Sequence, residues 1–308
     1  MTETMTTIVI RRQKPGDARS FFMEHEVESG GKTVLDALRE LRDTVDPALA
    51  FRAQCKSGIC GSCAVRVNGQ ARLACNTFLS DVAADGKVIL EPLLNFAVEE
   101  DLVVEDEPFW KAVEAMKPWL WNDKGYDHHE QVLEQVQNGT DCIMCSACYS
   151  ECEVQAVKKS GYTGPAGFVQ GLRFLGDKRD HGGKARLKLL EQQGLWSCAH
   201  MYNCIDACPK HIDIGGVIAG LRGQALSSGL GHNAGGRHVT WFTRGVRSTG
   251  KINEFWTLVG TRGWRIIFDL PTGIRMALKG KIPWPWGSKA KNSGVVKKLF
   301  RSKKQRSR

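Results

Sequence analysis

Cysteine supplies most of the chemistry available to this chain, which has eleven of them in 308 residues. They fall into three groups with short, regular spacings: Cys55, Cys60, Cys63 and Cys75; Cys142, Cys145, Cys148 and Cys152; and Cys198, Cys204 and Cys208. Thiols at such spacings form disulfides, bind zinc or hold iron–sulfur clusters. Residues 1–12 lack a basic stretch followed by an apolar run, so we expect no signal peptide and a reducing compartment. Thiolates that bind metal are therefore favoured over disulfides.

The first group has the spacing C-x4-C-x2-C with a fourth cysteine further along, which is typical of a plant-type [2Fe–2S] site. Gly58 and Gly61 let the loop wrap closely, because glycine tolerates positive φ and has no Cβ. Zinc is the alternative, but zinc ligands usually come as two CxxC pairs. The predicted [2Fe–2S] ligands are Cys55, Cys60, Cys63 and Cys75.

The second group reads C-x2-C-x2-C-x3-C, the bacterial ferredoxin run, in which three cysteines hold one cluster and the fourth holds the other. The third group ends in Cys208-Pro209 and resembles the same run with Met201 at the position of one cysteine. One cluster then has four thiolates and the other has three, which favours [3Fe–4S] because one corner lacks a ligand. The predicted ligands are Cys142, Cys145, Cys148 and Cys208 for [4Fe–4S], and Cys152, Cys198 and Cys204 for [3Fe–4S].

The elements around the first group alternate between strand and helix. We predict strands over 6–10, 21–27, 64–67 and 88–92 from their apolar and β-branched residues. Helical spacing predicts a helix over 33–41 with Thr33 as its cap, and Asn68-Gly69 predicts a hairpin turn. This order indicates a small β-grasp domain, the fold of plant-type ferredoxins.

The second half of the chain has a helical pattern, with helices predicted over 128–137, 184–192 and 214–226 and no strand pattern. We therefore predict an α+β protein. A β-grasp [2Fe–2S] ferredoxin domain is followed by an all-α two-cluster ferredoxin domain and a basic C-terminal extension. The predicted boundaries are 1–112, 113–228 and 229–308.

The extension differs from the rest of the chain in charge. Residues 229–308 contain 18 Lys and Arg against two acidic residues, a net +16, whereas the whole chain is +10. Five of the nine Trp also lie there. Trp beside basic residues is typical of an interfacial membrane segment, so we predict a membrane- or partner-facing role. A solvated tail is the alternative. No stretch approaches 18 consecutive apolar residues, so we expect no transmembrane helix.

Over roughly residues 6–228 the sequence resembles the iron–sulfur subunit of succinate dehydrogenase and fumarate reductase, the respiratory complex II family. The matching blocks are 55–64, 117–120, 142–152, 164–180 and the segment ending in Cys208-Pro209-Lys210. The resemblance implies an electron wire between a flavin in a separate subunit and a membrane quinone. It also implies that the [2Fe–2S] cluster lies nearest the flavin, the [4Fe–4S] cluster in the middle and the [3Fe–4S] cluster nearest the quinone.

The chain has no GxGxxG after a strand and no acid–base constellation, so we expect no catalytic residue of its own. The resemblance implies an FAD-containing flavoprotein subunit, a membrane anchor subunit of haem b or cysteine-rich type, and quinone as partners. It also implies a peripheral position on the cytoplasmic face of the membrane. We expect no nucleic-acid partner, because no nucleic-acid-binding fold is recognisable.

The expected quinone end departs from the family. Many members carry a Trp shortly after the fourth cysteine of the run and a His directly after the first cysteine of the last group, and both help to bind quinone in those proteins. Here 153–158 has no Trp, and Ala199 follows Cys198. The quinone pocket is then built either by a partner or around His200 and Trp196, the residues that we assign to the quinone vicinity.

Two other functions stay open from the sequence. The region from Arg237-His238 onward, with 280–283, is loosely similar to the C-terminal regions of iron–sulfur subunits in the heterodisulfide reductase group. The chain could then be the equivalent subunit of such a complex, or of a thiol-linked fumarate reductase. The second alternative is a zinc-binding scaffold with a basic nucleic-acid arm.

Overall fold

The computed structural model describes residues 5–122, 136, 139–157, 161–282, 285–286 and 288–306, with side chains to residue 300. The chain divides into two compact units, Met1–Leu221 and Arg222–Arg308. The helix predicted over 128–137 lies outside the described residues, apart from Val136, which is helical.

The first unit begins with a five-stranded sheet. Its strands are β1 (Met5–Gln13), β2 (Ser20–Glu28), β3 (Ala64–Val67), β4 (Gln70–Leu73) and β5 (Lys87–Glu91). The spatial order is β2-β1-β5-β3-β4, with β1 and β5 parallel and the other neighbours antiparallel. All the predicted strands lie in this sheet. A short antiparallel pair, β6 (Val98–Glu100) and β7 (Val103–Val104), follows it.

The predicted hairpin joins β3 to β4 through Asn68 and Gly69, whose φ angles are +49° and +81°. Asn and Gly are the residues that accept positive φ at both central positions of a two-residue turn. The turn carries the chain back so that the 3-10 helix Ala74–Asn76, which contains Cys75, follows β4 directly. The fourth cysteine of the first group is thereby returned to the loop that holds the other three.

A helix over Val34–Thr44 packs on the sheet. Thr33 and Asp36 form a capping box in which the backbone N–H of Asp36 donates to the Thr33 hydroxyl at 3.2 Å. The Asp36 carboxylate accepts the Thr33 N–H at 3.1 Å. The buried residues of the helix are Val34, Leu35, Ala37, Leu38 and Leu41. They join a core that also includes Cys63, so the cysteine loop is anchored in the hydrophobic interior.

The rest of the first unit is helical. Its helices are Glu107–Glu114, Ala147–Ser150, Glu153–Ala156, Pro165–Leu175, Gly183–Gln192, Asn203–Asp206 and Ile214–Ser227, the last of which runs on into the second unit. Two of them match the helices predicted over 184–192 and 214–226. The helix Pro165–Leu175 was not predicted. After Val104 the described part of the chain contains no strand, as the all-α prediction requires.

After the end of the helix Ile214–Ser227, the described residues of the second unit form four more α-helices: Ala234–Thr249, Glu254–Arg262, Leu270–Leu278 and Ser293–Arg306. A 3-10 helix, Gly263–Asp269, joins the second of these to the third. None of these helices was predicted, because the sequence of this region indicated only a basic extension that contains Trp. Here Gly260 packs against the Trp241 ring, where a Cβ would collide with the indole. No described helix is long and apolar enough to cross a membrane.

Candidate metal centres

The loop over residues 55–63 bends around the sulfur of its first cysteine. The backbone N–H groups of Ser57, Ile59 and Cys60 donate to Cys55 Sγ at 3.4, 3.4 and 3.2 Å. The N–H of Cys55 donates in turn to Cys60 Sγ at 3.5 Å. Such donors stabilise thiolate sulfur and the negative charge of anything bound to it.

The remaining thiols of the first group close the same site. The N–H of Gly58 donates to Cys75 Sγ at 3.2 Å. The Cys63 thiol is buried within electrostatic range of Cys75 and Cys60, and its burial raises its pKa to about 12. Cys60 is exposed, and the Ser62 hydroxyl, with its oxygen 3.1 Å from Cys60 Sγ, is the main cause that lowers the Cys60 pKa to about 6. One side of the site therefore faces solvent and the other faces the core.

A cavity in the helical part brings together four thiols from two distant segments. The cysteines that line it are Cys142, Cys145, Cys148 and Cys208, the set predicted for [4Fe–4S]. Met144 and Ser146, which alternate with these cysteines along the chain, have φ angles of +55° and +59°. Non-glycine residues rarely adopt such angles, and left-handed residues turn backbone N–H groups into anion-binding concavities.

The thiols of this cavity are poorly solvated. Burial raises the pKa of Cys145 to about 12 and that of Cys148 well above its usual range, and the neighbouring thiols add to both effects. The buried Gln170 side chain hydrogen-bonds to Cys142 and donates through Nε2 to the Gly139 carbonyl at 3.2 Å. Thiols in this environment ionise when a cation shares the cavity. The donor set therefore fits a metal cluster with several cationic iron atoms.

A second cavity is lined by the three remaining thiols, Cys152, Cys198 and Cys204, the set predicted for [3Fe–4S]. Met201 lines the same cavity, so the residue that replaces the expected cysteine lies beside the other three ligand candidates. Burial raises the pKa of Cys204 to about 12, with further contributions from Cys152 and Cys198. This site offers three thiols and a thioether, compared with four thiols in the first cavity.

The two residues assigned to the quinone vicinity are placed differently. His200 lines the three-thiol cavity, with φ of +56° and its ring 5.8 Å from that of Tyr202. Trp196 is not among the residues that line it, and the indole N–H of Trp196 donates to Glu191 Oε1 at 2.9 Å. The structure therefore brings His200, but not Trp196, to the cavity.

Two tyrosines line the same cavity and were not identified from the sequence. Tyr202 follows Met201 and is half exposed. Tyr162 is buried, stacks on Phe168 with ring centroids 5.5 Å apart, and has a pKa raised by burial. Tyr202 could have been found from its position between two cysteines, but Tyr162 lies in no cysteine block.

The first and second cysteine groups touch. A Cβ placed on Gly61 would lie 2.6 Å from Cys145 Cβ and 2.7 Å from Cys145 Cα, so the two loops meet in a contact that only glycine permits. Arg66 on β3 also bridges Glu91 and Glu151 at 3.2 and 3.3 Å. The loop over residues 55–63 and the strand that follows it are thus both held against the helical part.

An asparagine side chain holds the turn between the two cavities. The Asn95 side-chain amide lies 3.0, 2.9 and 3.1 Å from the carbonyl oxygens of Tyr149, Ser150 and Cys152. These residues carry the chain from Cys148, in the four-thiol cavity, to Cys152, in the three-thiol cavity. Nothing in the cysteine spacing indicates this contact.

Comparisons with known proteins agree with the division into two iron–sulfur parts. Residues 7–111 match the family model of a 2Fe-2S iron–sulfur cluster binding domain, and residues 138–212 match that of a 4Fe-4S dicluster domain. The chain is 33% identical over 262 residues to the 8-methylmenaquinol:fumarate reductase iron–sulfur subunit of Wolinella succinogenes, with 82% of each chain covered. It is 38% identical over 205 residues to the fumarate reductase iron–sulfur subunit of Mycobacterium tuberculosis, covering 64% of this chain and 82% of the relative.

A solved structure is also similar. A chain of the Mycobacterium smegmatis Sdh1 complex in the apo form superimposes with a TM-score of 0.62 at 25% sequence identity. The match covers 74% of this chain and 98% of that one. The part of this chain that it leaves unmatched is therefore an addition relative to that protein.

Proposed function

The chain belongs to the iron–sulfur subunits of the succinate dehydrogenase and fumarate reductase family, and on that premise we propose how its residues conduct electrons between a partner's flavin and a membrane quinone. It is an electron-transfer subunit of this oxidoreductase complex, with a 2Fe-2S domain and a 4Fe-4S dicluster domain. The substrate chemistry belongs to a flavoprotein partner. A zinc scaffold and a heterodisulfide-reductase-like subunit are not favoured by these relatives.

The ligand sets proposed for the three centres follow the two cavities and the cysteine loop. They are Cys55, Cys60, Cys63 and Cys75 for [2Fe–2S]; Cys142, Cys145, Cys148 and Cys208 for [4Fe–4S]; and Cys152, Cys198 and Cys204 for [3Fe–4S]. When bound, such clusters take up and release single electrons, with potentials tuned by hydrogen bonds and exposure. The backbone N–H groups around Cys55 and Cys75 hold negative charge in place at the first site.

The observation that carries this proposal is the way that distant segments share the two cavities. Cys208 joins the cavity of the second group, and Cys152 joins that of the third group. This exchange is the ligand pattern of two-cluster ferredoxins. The Gly61–Cys145 contact supports the order of the wire, because it brings the loop of the first group against the middle site.

We propose that the three-thiol cavity is the quinone end of the wire. His200 and Tyr202 line it and could donate hydrogen bonds to a quinone oxygen, and the assignment of Trp196 stays a prediction. The proposed partners are an FAD-containing subunit on the [2Fe–2S] side and a membrane anchor on the other side. With these partners, the chain would lie peripherally on the cytoplasmic face of the membrane.

Electron paramagnetic resonance of the isolated complex tests the proposal. We expect a [3Fe–4S] signal in the oxidised protein and a [2Fe–2S] signal after reduction. Succinate should produce the reduced signal when a flavoprotein co-purifies. Stoichiometric zinc in place of iron and labile sulfide would contradict the function as a whole.

Replacing Met201 by Cys tests the three-thiol site separately. Met201 lies in the cavity with Cys152, Cys198 and Cys204, so a thiol at this position would give the site a fourth candidate ligand. We expect the [3Fe–4S] signal to decline in the oxidised variant and a [4Fe–4S] cluster of lower potential to take its place. An unchanged spectrum would count against three-thiolate ligation, while the [2Fe–2S] signal serves as the internal control.

A further inference from the structure

The second unit, Arg222–Arg308, has an ordered internal scaffold. The indole of Trp241, on the helix Ala234–Thr249, packs against Gly260 of the helix Glu254–Arg262. Arg237 Nε donates to the Thr261 carbonyl at 3.0 Å, across the same helix pair. The two helices therefore form a fixed base for the segment that follows.

That segment, residues 263–278, turns its apolar side chains outward. It comprises the 3-10 helix Gly263–Asp269 and the helix Leu270–Leu278, and none of its residues, all of which are described, is buried. Trp264 and Phe268 are each 70% exposed, and Leu278 is 84% exposed. Exposed apolar side chains that are grouped on one segment mark an interaction surface.

The exposed side chains share one side of the segment. Ile267, Leu270, Ile274 and Leu278 follow one another at intervals of three or four residues, which is the spacing of one helix face. The rings of Trp264 and Phe268 contact edge to face, with centroids 5.9 Å apart, at the start of this series. We call these six residues the apolar face.

An open groove of about 750 Å³ runs beside the apolar face. Its walls are Phe255 and Leu258 of the helix Glu254–Arg262 on one side and residues of the helix Leu270–Leu278 on the other, with Ile282 at its end. Most of its lining is apolar, and its polar members are Arg262, Asp269 and Thr272. The exposed apolar surface therefore extends from the face into a recess that could accept hydrocarbon.

Basic residues are interspersed with the apolar face along the chain. Arg265, Arg275, Lys279 and Lys281 belong to the same stretch of chain. The one acidic residue of residues 263–282 is Asp269, whose carboxylate is held by Arg262 Nε and Nη2 at 2.5 and 2.6 Å. Apolar groups that carry negative charge therefore complement this stretch of the chain.

We infer that the apolar face lies in the headgroup region of a bilayer that contains anionic lipid. Trp and Phe beside Arg and Lys are the residues found at membrane interfaces, and a short helix that is apolar on one side lies in the plane of the interface. Anionic headgroups match the basic residues, and acyl chains match the face and groove. This inference rests on the membrane location proposed above, but not on the electron-transfer chemistry.

Vesicle flotation of the full, cluster-loaded chain without its partners tests the inference. The vesicles contain either phosphatidylcholine alone or phosphatidylcholine with phosphatidylglycerol. We expect binding to the mixed vesicles, weak binding to the neutral ones, and loss of binding at high salt. Amide hydrogen exchange over residues 263–282 should slow on the mixed vesicles and stay unchanged on the neutral ones.

Matched variants locate the binding surface. Leu278→Glu should weaken binding at least about tenfold, because a leucine is withdrawn from the bilayer. Val295→Glu adds the same charge at a position that is 59% exposed but outside the apolar face, and should change binding much less. Lys279→Gln and Lys281→Gln should each weaken binding about fivefold at low salt. The cluster signals report that each variant is folded.

Three outcomes would overturn the inference. They are equal binding to both kinds of vesicle, equal losses in Leu278→Glu and Val295→Glu, and absence of vesicle binding while Leu278→Glu loses a partner subunit. The last would identify the apolar face as a protein interface. In each case the spectroscopic signals of the clusters would still test the electron-transfer function independently.

Discussion

The cysteine loop of the first group and the two cavities of the helical part collect thiols in different ways. The loop takes three of its four candidate ligands from residues 55–63 and the fourth from the turn that follows β4. The cavities instead exchange ligands between segments: Cys208 reaches back to the second group, and Cys152 reaches forward to the third. A local site can form or fail alone, whereas each interleaved site depends on two segments that are distant in sequence.

The largest effect is expected when one ligand candidate is removed from each region. We expect Cys208→Ser to lose the signals of both helical centres, because Cys208 and Cys204 lie on one short segment and metal binding contributes folding free energy. Cys60→Ser should alter the [2Fe–2S] signal alone. Electron paramagnetic resonance and iron content of the full chain measure both effects.

The two variants serve as controls for each other, since each removes one thiol. Survival of an intact [3Fe–4S] signal in Cys208→Ser would mean that the cavities are independent despite their shared segments. Loss of all three signals in Cys60→Ser would mean that the first site does not form independently of the two helical centres.

A smaller effect is expected from the buried ion pair of the helical part. Arg186 and Asp180 are 0% and 1% exposed, with Arg186 Nη2 2.5 Å from Asp180 Oδ2. Arg186 also donates to the carbonyls of Lys117 and Trp119 at 3.0 and 2.8 Å, and its guanidinium lies over the Trp121 ring at 4.2 Å. One side chain therefore holds the segment 117–121 against the helix Gly183–Gln192.

We expect Arg186→Met to lower the free energy of unfolding by about 3–5 kcal/mol, because it leaves the Asp180 charge buried without its partner. Arg52 provides the matched control in the first domain. It pairs with Glu99 and Asp106 but is 39% exposed, so Arg52→Met should cost under about 1 kcal/mol. Urea unfolding of the full chain, followed by the visible absorbance of the clusters, measures both. Equal midpoints would mean that the Arg186 network contributes little.

Features that depend on local sequence patterns could be predicted, whereas contacts between distant segments could not. Ligand candidates follow from spacing, and the strands and the Thr33 cap follow from local patterns, so most of the β-grasp fold could be predicted. The contacts of Arg186 and Asn95 could not be predicted, because both side chains donate hydrogen bonds to backbone carbonyls. Such contacts leave no pattern in the sequence. Their partners lie about 70 and 55 residues away along the chain.

The helices of the second unit were not predicted from the sequence. The region is rich in glycine, which weakens helices by about 1 kcal/mol. In the structure, Gly260 allows a tryptophan ring to approach the helix Glu254–Arg262 at close range. Glycine disfavours a helix locally, but it can also be required where two helices pack closely. The sequence alone does not distinguish these two roles, whereas the packing in the structure does.

The smallest expected effect concerns the boundary between the two regions, where Gly61 meets Cys145. Gly61→Ala should destabilise by about 1–3 kcal/mol and separate the loops, because its Cβ would collide with backbone and side chain of Cys145. We expect weaker magnetic coupling between the reduced first and second clusters, measured as narrower lines in the fully reduced protein. The [2Fe–2S] signal itself should persist.

Gly58→Ala is the matched control for this contact. Gly58 and Gly61 have φ angles of +66° and +77°, so alanine is strained at both positions, but a Cβ on Gly58 would meet only Asn76 at an ordinary 3.7 Å. If Gly58→Ala narrows the lines as much as Gly61→Ala does, strain within the loop explains the loss of coupling. If only Gly61→Ala narrows the lines, the contact between Gly61 and Cys145 determines how close the first cluster lies to the second.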